Sequence, residues 1–221
     1  YAYVAFQTAY LKCHYPSEFM AALLTSVLDN TDKVIEYSGE CARLGIKVLP
    51  PDVNISNGGF TADNGKIRFG LNAVKNVGRN LIERVVEERQ EEPYSSLYDF
   101  CKRMHGTELN RRAVECLIKA GAFDSMGVNR HSLVEAVDGI IKSVESDSRR
   151  NLEGQLDLFS VMSGESQTAD TDSYEIKPFP EYSHTELLQQ EKEVSGLYLS
   201  GHPLDAYREQ SARFASNSIK E

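Results

Sequence analysis

The fold turns on Leu71-Asn72-Ala73-Val74-Lys75-Asn76-Val77-Gly78-Arg79-Asn80-Leu81-Ile82-Glu83-Arg84-Val85-Val86. These residues place a short helix, a tight turn and a longer helix in sequence. Asn76 tolerates a left-handed backbone and Gly78 prefers one. The turn therefore presents its backbone N–H groups, together with the N-terminus of the following helix, at one point in space, and an anion fits there. Lys75 and Arg79 flank that point, and residues 66–84 hold five basic side chains against one acidic, a local charge of +4.

The chain upstream of this hairpin reads as helical. Apolar residues recur at three and four from Tyr3 to Asp29, with a break at Tyr15-Pro16-Ser17 where one helix ends and a second begins. Thr31-Asp32-Lys33 opens a third helical stretch, Val34 to Leu44, closed by Gly45. Ile46-Lys47-Val48-Leu49 is a short extended segment running into Pro50-Pro51. Phe60-Thr61-Ala62, Asp63-Asn64-Gly65 and Lys66-Ile67-Arg68-Phe69 form a β-hairpin, because an Asn-Gly pair between β-prone runs suits a two-residue turn.

Downstream, helices are expected over roughly 71–90, 96–104, 110–119 and 129–144. Leu109-Asn110-Arg111-Arg112 to Gly121-Ala122-Phe123 repeats the helix-then-turn layout, and residues 101–130 carry six basic and three acidic side chains. Residues 163–183, rich in Ser, Asp, Thr, Glu and Pro, read as a flexible linker. A last helix, His184 to Leu199, is stopped by Gly201-His202-Pro203. The fold class is mainly α: a helical segment, paired helical hairpins with one small β-hairpin, a flexible linker and a C-terminal helix.

Composition bounds the function. The 221 residues are 41% apolar, and 24 Lys and Arg against 33 Asp and Glu give a net charge of -9. Taken alone, that charge argues against a nucleic-acid partner. Its distribution reverses the argument, because residues 145–193 hold twelve acidic and four basic side chains while the hairpin segments are locally basic. No apolar run approaches membrane-spanning length, so no membrane partner is expected. The opening Tyr1-Ala2-Tyr3-Val4-Ala5-Phe6 lacks the features of a signal peptide and reads as the middle of a helix, so the chain is expected to be a piece of something longer. Cys13, Cys41, Cys101 and Cys116 are widely spaced with no CxxC pair, and no His stands at ligand spacing; neither a disulfide framework nor a structural metal is expected, and the cytoplasm is the natural compartment.

Gly154-Gln155-Leu156-Asp157-Leu158-Phe159 stands between a helix and the acidic linker. Paired apolar anchors with a leading Gln suit an exposed peptide that drops side chains into a partner's pocket. The alternative is a surface loop whose leucines cover a helix end.

Residues 71–86 resemble the helix-hairpin-helix motif, which grips the backbone of duplex DNA without reading sequence. Asn76 stands where that motif has its first Gly. A helical hairpin that merely packs remains the alternative for this segment. Gln155 to Phe159 resembles the pentapeptide by which bacterial proteins bind the ring-shaped sliding clamp; the resemblance implies that Gln155 hydrogen-bonds at a small subsite while Leu158 and Phe159 fill the main apolar one.

Longer stretches resemble one family, the alpha subunit of bacterial DNA polymerase III. They are Val4 to Lys12, Tyr15 to Leu24, Leu49 to Asn54, Phe69 to Gly78, Leu109 to Arg112, Ala120 to Asp124 and Gly196 to Leu204. The resemblance implies that residues 1–57 end a fingers region and 58–145 form a tandem helix-hairpin-helix DNA-binding module. Residues 146–183 would carry the clamp-binding motif and linker, and 184–221 would lead into an oligonucleotide-binding domain. DNA-backbone contacts are expected from Lys75, Asn76, Val77, Gly78, Arg79, Asn80, Arg84, Arg111 and Arg112, and clamp contacts from Gln155, Leu156, Asp157, Leu158 and Phe159.

The resemblance further implies a DNA-directed DNA polymerase whose Mg2+ and catalytic aspartates lie in a palm upstream, leaving this stretch without cofactor and inactive by itself. Implied partners are primer-template duplex, the sliding clamp and other replicase subunits. Asp29 and Asp32, near a helix start, read as capping or dipole residues rather than metal ligands. A free-standing helix-hairpin-helix repair module and a structural helical adaptor without nucleic-acid contact are the other function classes.

Overall fold

The structure, a computed structural model, describes residues 1–152 and 174–207, with the side chains of 149–152 and 206 excepted. Three helices come first: α1 (Ala2–His14), α2 (Pro16–Ser26) and α3 (Thr31–Arg43). Pro16 opens α2, where its fixed φ fits and its missing N–H is not needed. Asn30 caps α3, its side chain accepting from the Lys33 N–H at 3.1 Å. Gly45, at φ +72°, takes the chain out of α3 in the left-handed conformation.

A small sheet follows, made of β1 (Val48–Leu49), β2 (Thr61–Asp63) and β3 (Lys66–Arg68) in the order β1-β3-β2. Asn64 and Gly65 turn the β2–β3 hairpin at φ +50° and +77°, as a primed two-residue turn requires. The expected two-stranded hairpin gains a third strand, because Val48 and Leu49 pair in parallel with Ile67 and Arg68.

Beyond the sheet come a single 3-10 turn (Leu71–Ala73), α4 (Arg79–Glu88), α5 (Leu97–Arg103), α6 (Arg111–Lys119), a second 3-10 turn (Asp124–Met126), α7 (Arg130–Leu152) and α8 (His184–Ser195). Ser96 and Asn110 cap α5 and α6 through their side chains, and Ser183 with Glu186 forms a reciprocal capping box on α8. One apolar core runs through these elements. Phe100 stands at its centre, meeting Tyr94 and Phe123 edge-on at centroid distances of 5.0 and 5.1 Å, and Phe60 meets Phe69 the same way at 4.9 Å. Helix α1 lies outside the core, with none of its residues buried.

Three expectations are corrected. The first limb of the hairpin, read as a short helix, is a single 3-10 turn, stitched to the preceding loop by Leu71 N–H to Asn57 O (2.9 Å) and Asn72 N–H to Gly58 O (3.0 Å). The last helix stops at Ser195 rather than Leu199, because Gly196 turns left-handed at φ +80° and the N–H groups of Leu199 and Ser200 bond the Glu191 carboxylate instead of continuing the helix. Residues 174–183, read as part of a linker, form an extended strap on α7. Tyr174 and Ile176 pack on the core, and the Phe179 N–H donates to Ser132 Oγ at 2.8 Å. Gln155 to Phe159 lies outside the described residues.

Candidate nucleic-acid interface

The candidate anion site is the turn Val74–Gly78 and the first turn of α4. Val74 is buried and fixes the turn to the core, while Lys75, Asn76, Gly78, Arg79 and Asn80 are exposed and Val77 half-buried. Asn76 adopts the left-handed conformation at φ +62°, as its residue type allows, and its Nδ2 lies 3.4 Å from Cys116 Sγ on α6. Gly78 departs from expectation. It is extended at φ -73° and ψ 145° and serves as the N-cap of α4, so the left-handed step is supplied by Asn76 alone. No side chain caps the N-terminus of α4.

The cations sequence reasoning placed here do not project freely. Arg79 Nη2 bonds both carboxylate oxygens of Asp29, at 2.6 and 2.7 Å. Asp29 is thus not a cap: Asn30 has that role, and Asp29 reaches across from the α2–α3 connection to the hairpin. Lys75 is held at the C-terminal end of α8, its N–H donating to Val194 O and its Nζ to Glu193 O, both at 2.9 Å. Arg84 pairs with Glu88 at 3.2 Å on its own helix. Asn80 Nδ2 donates to Glu108 Oε1 at 3.1 Å, and a Cβ on Gly78 would stand 3.2 Å from Glu108 Oε2, so a second carboxylate borders the turn.

Arg111 bonds Glu115 at 2.6 Å and Asp138 at 2.8 Å. Arg112 is exposed and has no partner among the described residues. It lies one helical turn before Cys116, hence on the α6 face that meets Asn76. The structure therefore keeps Asn76, Val77, Gly78, Arg79 and Asn80 on one turn, sets Arg112 one helical turn along α6 from the cysteine that Asn76 meets, and leaves Arg84 engaged on its own helix and Arg111 bridging α6 to Asp138 of α7.

The second hairpin, α6 to α7, is closed differently. Gly121 turns it at φ +85°, with Arg130 and Asp124 packed against its Cα. Arg130 forks onto Asp124 at 2.9 and 2.7 Å and reaches Glu191 at 3.0 Å. At the start of α7 the N–H groups of Arg130 and His131 donate to the two carboxylate oxygens of Glu181, at 3.0 and 3.2 Å. Burial acts to raise the Glu181 pKa, but backbone donation from Tyr182, Arg130 and His131 outweighs it and holds the carboxyl below its ordinary value. Asp29, Glu108, Glu181 and Glu191 are the residues sequence reasoning missed. Only Asp29 carried a local signal, its place beside Asn30, and that signal pointed to capping.

The helix-hairpin-helix motif family matches residues 45–133, a span holding the sheet's first strand, both hairpin turns and the start of α7. The DNA polymerase III alpha subunit of Saccharopolyspora erythraea is 43% identical over 225 residues, covering 100% of this chain. Those of Borreliella burgdorferi and Escherichia coli are 41% and 39% identical over 99% and 97% of it. Over this stretch the chain belongs to the DNA polymerase III alpha-subunit family. It spans 18–19% of the length of these alpha subunits. The similarity runs beyond the hairpin module through the strap and α8, so the alpha-subunit match takes in elements the motif family does not cover. No helix among the described residues is long and apolar enough to cross a membrane.

Proposed function

We propose that this chain is the part of a replicative DNA polymerase alpha subunit that holds duplex DNA by its backbone and tethers the enzyme to the sliding clamp. The observation that carries the first half is the first turn of α4, uncapped by any side chain, delivered by the left-handed Asn76 and carrying Arg79 and Asn80, with Arg112 on the helix that Asn76 meets. Amide N–H groups and guanidinium groups of this kind bind phosphates of any sequence, which is what an enzyme that copies every sequence requires. The clamp peptide Gln155 to Phe159 supports the second half: a tether raises the effective concentration of the module at the primer end, so neither contact has to be tight.

Polymerisation itself, by metal-assisted phosphoryl transfer with Mg2+ and primer-template duplex, belongs to the longer protein. Among the described residues no three or more candidate metal ligands gather, and the catalytic carboxylates are assigned to the longer protein. The stretch is inactive alone and acts in the cytoplasm with the other replicase subunits.

Salt-titrated binding of duplex DNA to the full-length polymerase tests the reading. Arg112→Ala lowers affinity equally for unrelated sequences and flattens the log–log salt slope by about 0.9, the loss of one phosphate contact. If duplex affinity and slope are untouched by Arg112→Ala and by Arg79→Glu, the structural-adaptor reading replaces this one.

A further inference from the structure

Among the described residues the cations at the hairpin turn other than Arg112 are already matched, Arg79 by Asp29 and Lys75 by a carbonyl of α8, and two carboxylates from outside the hairpin, Asp29 and Glu108, occupy donors of the turn. Asp29 sits on the α2–α3 connection, 50 positions from Arg79, and binds it through both oxygens. Glu108 sits on the α5–α6 connection, bonded to Asn80 and set against Gly78. Both are acceptor-only carboxylates bound to groups that a phosphate oxygen would use. We infer that Asp29 and Glu108 are internal competitors for phosphate, so that duplex DNA is held by exchange of one anion for another. This deepens the duplex-holding reading and rests on it.

The Asp29–Arg79 pair is placed for exchange. Its side chains are 85% and 62% exposed, and an exposed pair in water is weakly bound and quickly broken. When a phosphate takes Arg79, Asp29 is released to solvent, where a counterion joins it. The cation shed by the DNA is thus offset by one taken up on the protein, and the contact adds little to the salt slope. Such a contact keeps the module on any duplex without locking it to one register, which suits an enzyme that advances a base pair at a time. It also ties the hairpin to the helical region before it, because occupancy of Arg79 frees the α2–α3 connection.

The test is a set of variants in the full-length polymerase, with duplex binding followed by anisotropy over a range of salt. Asp29→Asn tightens binding about three- to fivefold, the most an exposed pair of this kind is worth. It also steepens the salt slope by about 0.9, because Arg79 then meets phosphate as an unpaired cation. In an Arg79→Ala background the same Asp29→Asn change has no effect, since Asp29 acts through Arg79. Glu108→Gln tightens binding independently of Arg79. A gain from Asp29→Asn that persists without Arg79 marks a general charge effect and overturns the exchange; so does the absence of any gain in a wild-type protein that binds duplex. Failure of wild type and all variants to bind duplex at low salt overturns the duplex-holding reading as well, and so is told apart from failure of the exchange alone.

Discussion

Arg130 Nη1 lies 3.0 Å from Oε1 of Glu191, and the Glu191 side chain is wholly buried. The pair joins the start of α7 to the middle of α8. Glu191 also accepts the N–H groups of Leu199 and Ser200 through Oε2, while Arg130 also holds Asp124 and the Lys119 carbonyl. Removing one member of such a network leaves the other charge without compensation in a site shut to water. Arg130→Ala is therefore expected to destabilise the fold by about 3–5 kcal/mol, whereas Glu191→Gln, which removes the charge but keeps an acceptor, costs about 1–3 kcal/mol. Urea denaturation of the two variants checks the order; equal losses would show that the pair contributes as ordinary hydrogen bonds.

Glu181 gives the start of α7 a pH dependence. Its pKa is lower folded than unfolded, so the stability it contributes is complete above the unfolded carboxylate value of about 4.3 and is lost as pH falls through the lower, folded value. Amide protection at Arg130 and His131, measured by hydrogen exchange and corrected for intrinsic rates, is expected to fall in that acid window. Glu181→Gln lowers protection at neutral pH and removes the acid step. An acid step of the same size in Glu181→Gln would assign it to another group.

Much of the fold was legible because its signals are local. Asn64-Gly65 made the hairpin turn, Gly45 ended α3, and the left-handed Asn76 made the turn before α4. What sequence could not show depends on pairs distant along the chain. Val48 and Leu49 became a strand only because Ile67 and Arg68 lay beside them. Residues 174–183 looked like linker because their composition is polar, yet side chains of Asn129, His131 and Ser132 hold their backbone, the Glu181 carboxylate grips a helix start and Tyr174 packs on the core. The same limit applied to the site. Arg79 and Lys75 were found as cations near a turn, while Asp29 and the carbonyls of α8 that engage them lie 50 or more positions away.

Gly139 lies beneath Tyr174 of the strap. A Cβ there would come within 1.9 Å of the Tyr174 hydroxyl, so the tyrosine rests where only glycine leaves room. The Tyr174 ring also stacks on Tyr98 at a centroid distance of 6.4 Å. Gly139→Ala should improve the intrinsic helix preference of α7 by about 1 kcal/mol while expelling Tyr174. Cleavage after Glu175 by a glutamate-specific protease is the check: it should be faster in Gly139→Ala than in wild type, and unchanged cleavage would show that the strap is held from Phe179 onward alone.

The clamp-binding proposal makes the last prediction, and it turns on separating two contacts carried by different residues. Leu158 and Phe159 are the apolar anchors of the peptide, and burial of two large apolar side chains in a partner pocket supplies several kcal/mol, on the order of 1.5–3 kcal/mol each. Leu158→Ala with Phe159→Ala in the full-length polymerase should abolish clamp capture in a surface-binding assay. The phosphate contacts proposed for the hairpin come from Asn76 to Asn80 and Arg112, so duplex affinity measured without clamp should be the same as wild type. DNA synthesis on a long primed template should then lose its clamp-dependent stimulation but not its basal rate on a short one. Retained clamp capture would remove Gln155 to Phe159 from the interface and leave the surface-loop reading of that peptide. Loss of both clamp and duplex binding would mean that the peptide supports the hairpin module itself.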